Sequence, residues 1–162
     1  MLAQARTLRT ERLELRPIAQ SDLPWYAELR SRDALDAAAC ATRLADAVAH
    51  WACRGFGKFA ILREGRPAGL ITLNDAGVGL VGIAAEEIDL GWYVLSDLWG
   101  QRIAPEAARA VIDWTVAAGI GPLVVYIRSG NTPSIRVAEK LGLRRSDDGR
   151  ARGGELIKIY RL

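Results

Sequence analysis

The sequence predicts an α/β fold in one domain, residues 1–162, with about six or seven strands and four helices. Short runs of alternating or continuous apolar residues, typical of strands, are interspersed with longer runs at helical spacing. A length of 162 residues suits one domain with a buried core. No linker, repeat or low-complexity tract divides the chain.

The first half of the chain predicts a strand, two helices and a hairpin. Ser21 suits the N-cap position of the first helix, and Gly55 suits the end of the second, alanine-rich helix. In chain order, these segments cover residues 12–17, 21–29, 37–53, 58–64 and 67–73, and a glycine-rich connection follows over residues 74–85.

The second half predicts a strand, a helix, a buried strand, a helix and a closing strand. Thr132 and Pro133 suit the cap and the first position of the last helix. The predicted segments cover residues 86–94, 105–118, 123–128, 132–142 and 155–162.

The stretch from Glu86 to Glu106 carries the most functional information. Its strand leads into a glycine-containing turn, and Pro105 suits the first turn of the helix that follows. Such a turn aims free backbone N–H groups outward and can hold a phosphate or pyrophosphate. Glu87 and Asp89, on the preceding strand, could supply a proton acceptor. The stretch therefore predicts catalysis with a phosphate-bearing cosubstrate.

Composition excludes several other classes. A net charge of +3 without a dense basic run predicts no direct nucleic-acid binding. Charged residues or glycines interrupt the apolar stretches, so no membrane span is predicted, and residues 1–16 lack the apolar segment of a signal peptide. Cys40 and Cys53 have neither metal-site nor disulfide spacing, which favours a cytoplasmic protein without a metal.

Four motifs, in this order, resemble the GNAT superfamily of acyl-CoA-dependent N-acetyltransferases in its RimJ/RimL-like branch. They are the opening segment 8–17, the strand motif DLGWYV at 89–94, the turn WGQRIA at 99–104 and the helix motif NTPSIRVAEKLG at 131–142. The resemblance implies a mixed, mostly antiparallel central sheet in which the family's fourth and fifth strands splay apart. It also implies acetyl-CoA as the cosubstrate, lying between those strands.

The resemblance implies several cofactor contacts. Backbone groups of Trp92 and Val94 would pair with the pantetheine arm, and an N–H at Val94 or Leu95 would face the thioester oxygen. Asn131 would contact the cofactor. Trp99 would also contact the cofactor. The backbone of the turn that follows it would hold the pyrophosphate, through Gly100, Gln101, Arg102, Ile103 and Ala104.

Arg102 stands where the family's turn has glycine. The position therefore requires a backbone angle that is free for glycine and restricted for other residues. An arginine there could offset this restriction by binding a phosphate with its guanidinium group.

The resemblance also implies catalytic roles. Asp89 matches an acidic position of the branch, and either it or Glu87 would take the proton of the attacking amine, directly or through water. Ser134 matches a serine near the sulfur, where its hydroxyl would protonate the leaving thiolate. From the residues alone, both acids could equally be solvated side chains, and Ser134 a plain first-turn helix residue.

Other patterns are weaker. The segment GVGLVG at 77–82 matches a dinucleotide fingerprint but lacks the helix that should follow it. His50 has no partner motif for a triad or a metal. Arg144, Arg145 and the segment 150–152 suggest a solvated loop.

The sequence therefore predicts an enzyme that moves acetyl from acetyl-CoA to a primary amine, by direct attack in a ternary complex. The acceptor could be a protein N-terminus or a small amine. A non-catalytic acyl-CoA-binding module is the alternative. A homodimer is common in families of this kind, and the sequence leaves the oligomeric state open.

Overall fold

The computed structural model describes residues 7–162, and the part of the signal-peptide prediction that uses residues 1–6 lies outside them. The described part contains eight strands and four α-helices. The strands are β1 (Leu8–Arg9), β2 (Leu13–Pro17), β3 (Phe59–Arg63), β4 (Arg66–Asp75), β5 (Ile88–Val94), β6 (Leu123–Arg128), β7 (Arg144–Arg150) and β8 (Leu156–Arg161). The helices are α1 (Leu23–Leu29), α2 (Ala37–Arg54), α3 (Ile103–Ala118) and α4 (Thr132–Lys140).

Hydrogen bonds link the described strands into a mixed, open sheet in the order β1-β2-β3-β4-β5-β6-β8-β7. β5 and β6 run parallel, with Ile88 opposite Leu123. The pairs β1–β2, β2–β3, β3–β4, β6–β8 and β7–β8 are antiparallel. The predicted α/β class and the mixed, mostly antiparallel sheet are therefore confirmed.

The first of two compact units comprises the described residues up to Thr72 together with Trp92–Ala110. Its β3–β4 hairpin turns at Glu64 and Gly65, whose φ angles of 51° and 74° lie in the left-handed region. Its helices α1 and α2 supply an apolar face to a buried cluster formed by Ile18, Tyr26, Leu44, Ala47 and Leu70.

The second unit comprises Leu73–Gly91 and Val111–Leu162. In it β8 lies beside β6, with Tyr126 opposite Ile159, and β7 pairs with the other side of β8. A segment between β4 and β5 contributes to the same buried cluster as β6 and β8, which consists of Ala76, Leu80, Ile83, Val124, Ile157 and Ile159.

The sheet has eight strands where the sequence predicted six or seven. β1 has only two residues, and β7 has the sequence RRSDDGR, which shows no apolar alternation. The expectation of a solvated loop at Arg144 and Arg145 is wrong because these residues form part of β7, opposite Arg161 and Tyr160 of β8. An edge strand needs only one hydrogen-bonded neighbour and can remain polar.

The starts of α1 and α3 differ from the prediction. Asp22, rather than Ser21, precedes α1, and its buried carboxylate accepts two hydrogen bonds from the Arg16 guanidinium at 2.8 Å. α3 begins at Ile103, two residues before Pro105. A proline fits in the first turn because the N–H groups there have no intrahelical partner.

Candidate functional site

The turn between β5 and α3 has the backbone shape of an anion site. Gly100 and Arg102 have φ angles of 75° and 61°, and α3 begins directly afterwards at Ile103. The prediction that position 102 requires a left-handed angle is therefore confirmed. First-turn N–H groups of a helix lack intrahelical partners and lie at the positive end of its dipole, so they can bind a phosphate.

Two arginines of the first unit hold this turn by its middle residue, Gln101. The Arg12 guanidinium donates to the Gln101 carbonyl at 3.0 Å, and the Arg63 guanidinium donates to the side-chain oxygen of Gln101 at 2.5 Å. Arg12 also forms an ion pair with Glu106 of α3 at 2.6 Å. Both bonds use oxygens of Gln101, so neither arginine occupies a backbone N–H group of the turn.

Glu106 is an anchor of the turn that the sequence analysis did not identify as such. Its carboxylate accepts hydrogen bonds from the Thr10 hydroxyl and from Arg12 Nε, the latter at 2.8 Å. Burial acts to raise the pKa of Glu106, but these hydrogen bonds outweigh it and lower that pKa below its ordinary value. Glu106 therefore remains ionised at neutral pH. Its ion pair holds the Arg12 guanidinium where that group donates to the Gln101 carbonyl.

The last peptide groups of β5 show which N–H is available to a ligand. The Leu95 N–H donates to the Ala68 carbonyl at 3.0 Å, so it is not the donor that the sequence analysis offered as one of two choices. The Tyr93 carbonyl oxygen lies 2.2 Å from the place where a Cβ on Gly69 would stand. In a trans peptide the following N–H points the opposite way. The Val94 N–H therefore points away from Gly69.

Gly69 is a residue that the sequence analysis missed. A glycine inside a strand can indicate the close approach of another backbone, and this was the only available signal. Its hydrogen in place of a Cβ allows the Tyr93 carbonyl to sit against β4. Trp92, also proposed for cofactor contact, is half-buried on β5.

Glu87 and Asp89 differ in their surroundings. Glu87 lies just before β5 and is buried, and its two carboxylate oxygens accept from Arg161 at 2.7 and 2.9 Å and from the Ala84 N–H at 2.8 Å. The Arg161 hydrogen bonds lower the pKa of Glu87 against the opposing effect of burial. Asp89 lies on β5 opposite Val124 and is half-buried. Of the two, Glu87 has the environment of a structural anion.

The Glu87–Arg161 pair yields a prediction about pH. Folding lowers the pKa of Glu87, so the ionised carboxylate stabilises the folded state. This stabilisation is complete above the ordinary glutamate pKa of about 4.3 and is lost as the pH falls through the lower pKa of the folded state. Glu87→Gln should lower the free energy of unfolding at pH 7 by about 2 kcal/mol and flatten its fall below about pH 4.3. Urea unfolding at pH 3 to 7 measures this. The exposed neighbour Glu86, changed to glutamine, is the control, and equal curves for both variants would contradict the prediction.

Asn131 and Ser134 stand at the start of α4. Asn131, rather than the predicted Thr132, is the N-cap, and its side-chain oxygen accepts from the Ser134 N–H at 3.3 Å. Asparagine at an N-cap satisfies a free N–H of the first turn. The Ser134 side chain is half-buried.

The GVGLVG segment at 77–82 has a structural role. No helix follows it, and its residue Leu80, with nearby Ile83, is buried in the core cluster of the second unit. The Arg152 guanidinium donates to the Val78 carbonyl at 2.9 Å and so holds the segment. These contacts account for the segment without a dinucleotide.

His50 lies on α2 with its ring edge-on to Phe56, at 5.2 Å between centroids. Within residues 7–162, no group of three or more histidine, cysteine or acidic side chains is placed to hold a metal ion. Cys40 is buried and Cys53 exposed, and both are free thiols. None of the helices between residues 7 and 162 is long and apolar enough to cross a membrane.

The site has the features of proteins that bind a phosphate-bearing ligand at a strand–turn–helix connection. These features are a mixed sheet, a strand that ends in a constrained peptide and a left-handed turn at a helix N-terminus. The family profile of the acetyltransferase (GNAT) domain matches residues 12–144. The chain belongs to this family. Acetyl transfer is therefore its general activity, and the family predicted from the sequence is confirmed.

Several solved structures resemble this chain. A protein described as a GnaT-family acetyltransferase from Bordetella pertussis is 25% identical with a TM-score of 0.83, over 97% of this chain and 99% of that one. An acetyltransferase from Agrobacterium tumefaciens is 30% identical with a TM-score of 0.79, over 97% and 95%. RimL, a ribosomal L7/L12 α-N-protein acetyltransferase in complex with coenzyme A, is 16% identical with a TM-score of 0.80, over 97% of both chains, and shares the fold.

Among curated proteins, YkkB of Bacillus subtilis is 36% identical over 73 residues. This match spans 41% of the present chain and 42% of YkkB, which is itself described as uncharacterized.

Proposed function

We propose that this protein transfers acetyl from acetyl-CoA to a primary amine by direct attack in a ternary complex. The observation that carries the proposal is the backbone of the first unit, where the Val94 N–H points away from Gly69 and the turn at Gly100 and Arg102 presents helix N-terminal amides. These two features supply what a thioester with a pyrophosphate tail needs: a donor for its carbonyl oxygen and a cradle for its phosphates.

The cofactor contacts follow from this backbone. The N–H groups of residues 100–104 hold the pyrophosphate, and the exposed Arg102 side chain adds a charged donor. Backbone groups of Trp92 and Val94 pair with the pantetheine arm. Asn131 contacts the cofactor beyond its role as the N-cap of α4.

In the proposed reaction, Asp89 accepts a proton from the acceptor ammonium group, directly or through water. The free amine attacks the thioester carbon, and the Val94 N–H stabilises the resulting oxyanion. When the intermediate collapses, the C–S bond breaks and the Ser134 hydroxyl protonates the leaving thiolate. The second proton, which the attacking nitrogen loses as the amide forms, passes to Ser134 directly or through water and restores its hydroxyl. An α-amino group has an ordinary pKa of about 8 and a lysine of about 10.4, so the base matters more for lysine.

The acceptor is an α-amine of a peptide or a small-molecule amine. The RimL structures support the first choice, because RimL acts on the α-amine of ribosomal protein L7/L12 and shares this fold. We further propose that the protein works in the cytoplasm without a metal, a membrane or a nucleic-acid partner. Gel filtration with light scattering will show whether it is a homodimer.

A panel of amines tests the function. Release of the coenzyme A thiol is measured for peptides with free N-termini and for small amines, while calorimetry measures acetyl-CoA affinity separately. We expect binding together with turnover on at least one class of amine. Binding without turnover on any amine would instead support a non-catalytic acyl-CoA-binding module, and no binding would defeat both readings.

Ser134→Ala tests the proton donor. We expect kcat to fall about tenfold with little change in acetyl-CoA affinity, because the hydroxyl acts on the leaving thiolate rather than on the bound thioester. Steady-state kinetics and calorimetry measure the two quantities. Ser129→Ala, whose hydroxyl bonds the Leu156 carbonyl on the exposed end of β8, is the control. An unchanged kcat would remove Ser134 from the mechanism.

A further inference from the structure

Trp99 makes a contact that its surface position does not explain. Its side chain is 56% exposed, yet its indole N–H donates to the Val94 carbonyl at 2.8 Å. An indole N–H in this position can bond water equally well, so burial does not require the bond. The contact instead acts on the backbone of the residue whose N–H is proposed to face the thioester.

The peptide between Val94 and Leu95 is held at both of its polar groups. Its carbonyl accepts from Trp99 and its N–H donates to the Ala68 carbonyl at 3.0 Å. The preceding peptide is held by the packing of the Tyr93 carbonyl against Gly69. The Val94 N–H belongs to this preceding peptide. Val94 therefore lies between two constrained peptide planes, and the second plane limits the rotation of its backbone.

The indole is held in turn by Arg32. The Arg32 guanidinium lies 4.5 Å from the centre of the Trp99 ring, within the range of a cation–π contact. Arg32 belongs to the short turn Ser31–Asp33 between α1 and α2. From the same turn region, Arg30 lies 4.8 Å from the centre of the Tyr93 ring. Two arginines that follow α1 thus contact the aromatic side chains on either side of Val94.

We propose that Trp99 is a positioning residue. Its indole ring is held by Arg32, and its N–H fixes the peptide between Val94 and Leu95, which keeps the Val94 backbone in the orientation that binds the acyl-CoA thioester. This inference rests on the proposed function, since it assigns Trp99 a role in that same reaction. Trp99 acts through Val94 and does not touch the reacting atoms.

Trp99→Phe removes the N–H and keeps an aromatic ring. Because the side chain is mostly exposed, we expect the urea midpoint to change little. The Leu95 amide should exchange with solvent about tenfold faster, because its peptide has lost one of two restraints. The Kd for acetyl-CoA should rise about tenfold. Arg32→Leu, which removes only the support of the ring, should change both quantities in the same direction by about threefold.

Two measurements test the inference: amide hydrogen exchange by NMR, and acetyl-CoA affinity by calorimetry. The buried Ile61 amide of β3 is the reference for global opening, and Trp114→Phe is the matched control variant. Faster exchange of the Leu95 amide in Trp99→Phe, with unchanged exchange of the Ile61 amide, supports the inference. Exchange at Leu95 equal to that of the wild type in Trp99→Phe would overturn it. If the wild type binds no acetyl-CoA, the proposed function fails, whereas the exchange result still decides whether Trp99 restrains the peptide between Val94 and Leu95.

Discussion

Gly69→Ala is expected to lower kcat/KM for acetyl-CoA at least about a hundredfold and to reduce the free energy of unfolding by about 3 kcal/mol. The new Cβ would stand 2.2 Å from the Tyr93 carbonyl oxygen and 3.0 Å from the Val94 Cα. Both are backbone atoms, which cannot rotate away as a side chain can. The end of β5 must therefore shift, and the Val94 N–H with it.

Gly153→Ala is the matched control because a Cβ there would meet no atom within 4 Å and its φ is not in the left-handed region. Kinetics are compared at equal folded fractions, so that the loss of stability is separated from the loss of turnover. A Gly69→Ala variant with the wild-type kcat/KM would contradict the geometry assigned to Val94.

Asp89→Asn is expected to lower kcat about a hundredfold at pH 7 on a peptide α-amine, with a much smaller effect on acetyl-CoA affinity. Asparagine keeps the size of the side chain but cannot accept the proton. The deficit should shrink as the pH rises toward the amine pKa of about 8, because more acceptor is then unprotonated without help.

The pH profile from 6 to 9 is the deciding measurement for Asp89. Glu86→Gln, an exposed neighbour, is the control for loss of negative charge, and Glu87→Gln should lose stability while the folded molecules keep their turnover. A wild-type kcat and pH profile in Asp89→Asn would exclude this residue as the base.

Local features of the site were predictable from the sequence. The left-handed angle at Arg102 follows from the resemblance, because the family's turn has glycine in that place, and the end of α2 at Gly55 follows from the same conformational rule. These features depend only on residues close in the sequence. The family itself also followed, because its motifs occur in order along the chain.

Features that depend on distant partners were not predictable. Gln101 bonds Arg63, which is 38 residues away, and Arg12, which is 89 residues away. The sequence keeps Glu87 as a candidate base, after Asp89, because its partner, Arg161, lies 74 residues further along the chain. No spacing or periodicity connects such residues, so their pairing appears only once the chain has folded.

The polar strand β7 shows a second limit of predicting strands from a single sequence. Its alternation is hidden because it carries Arg144, Arg145, Asp147 and Asp148, and only the pairing with β8 defines it as a strand. Hydrophobic period is the main signal of a strand in a single sequence, and an exposed edge strand need not contain it.

A crystal structure of the protein with coenzyme A tests the central claim most directly. The account predicts pyrophosphate oxygens within hydrogen-bond distance of the backbone amides in the 100–104 turn, and the pantetheine arm paired with the backbone of Val94. Coenzyme A bound with its phosphates away from that turn, or with Val94 in contact only with protein atoms, would contradict it.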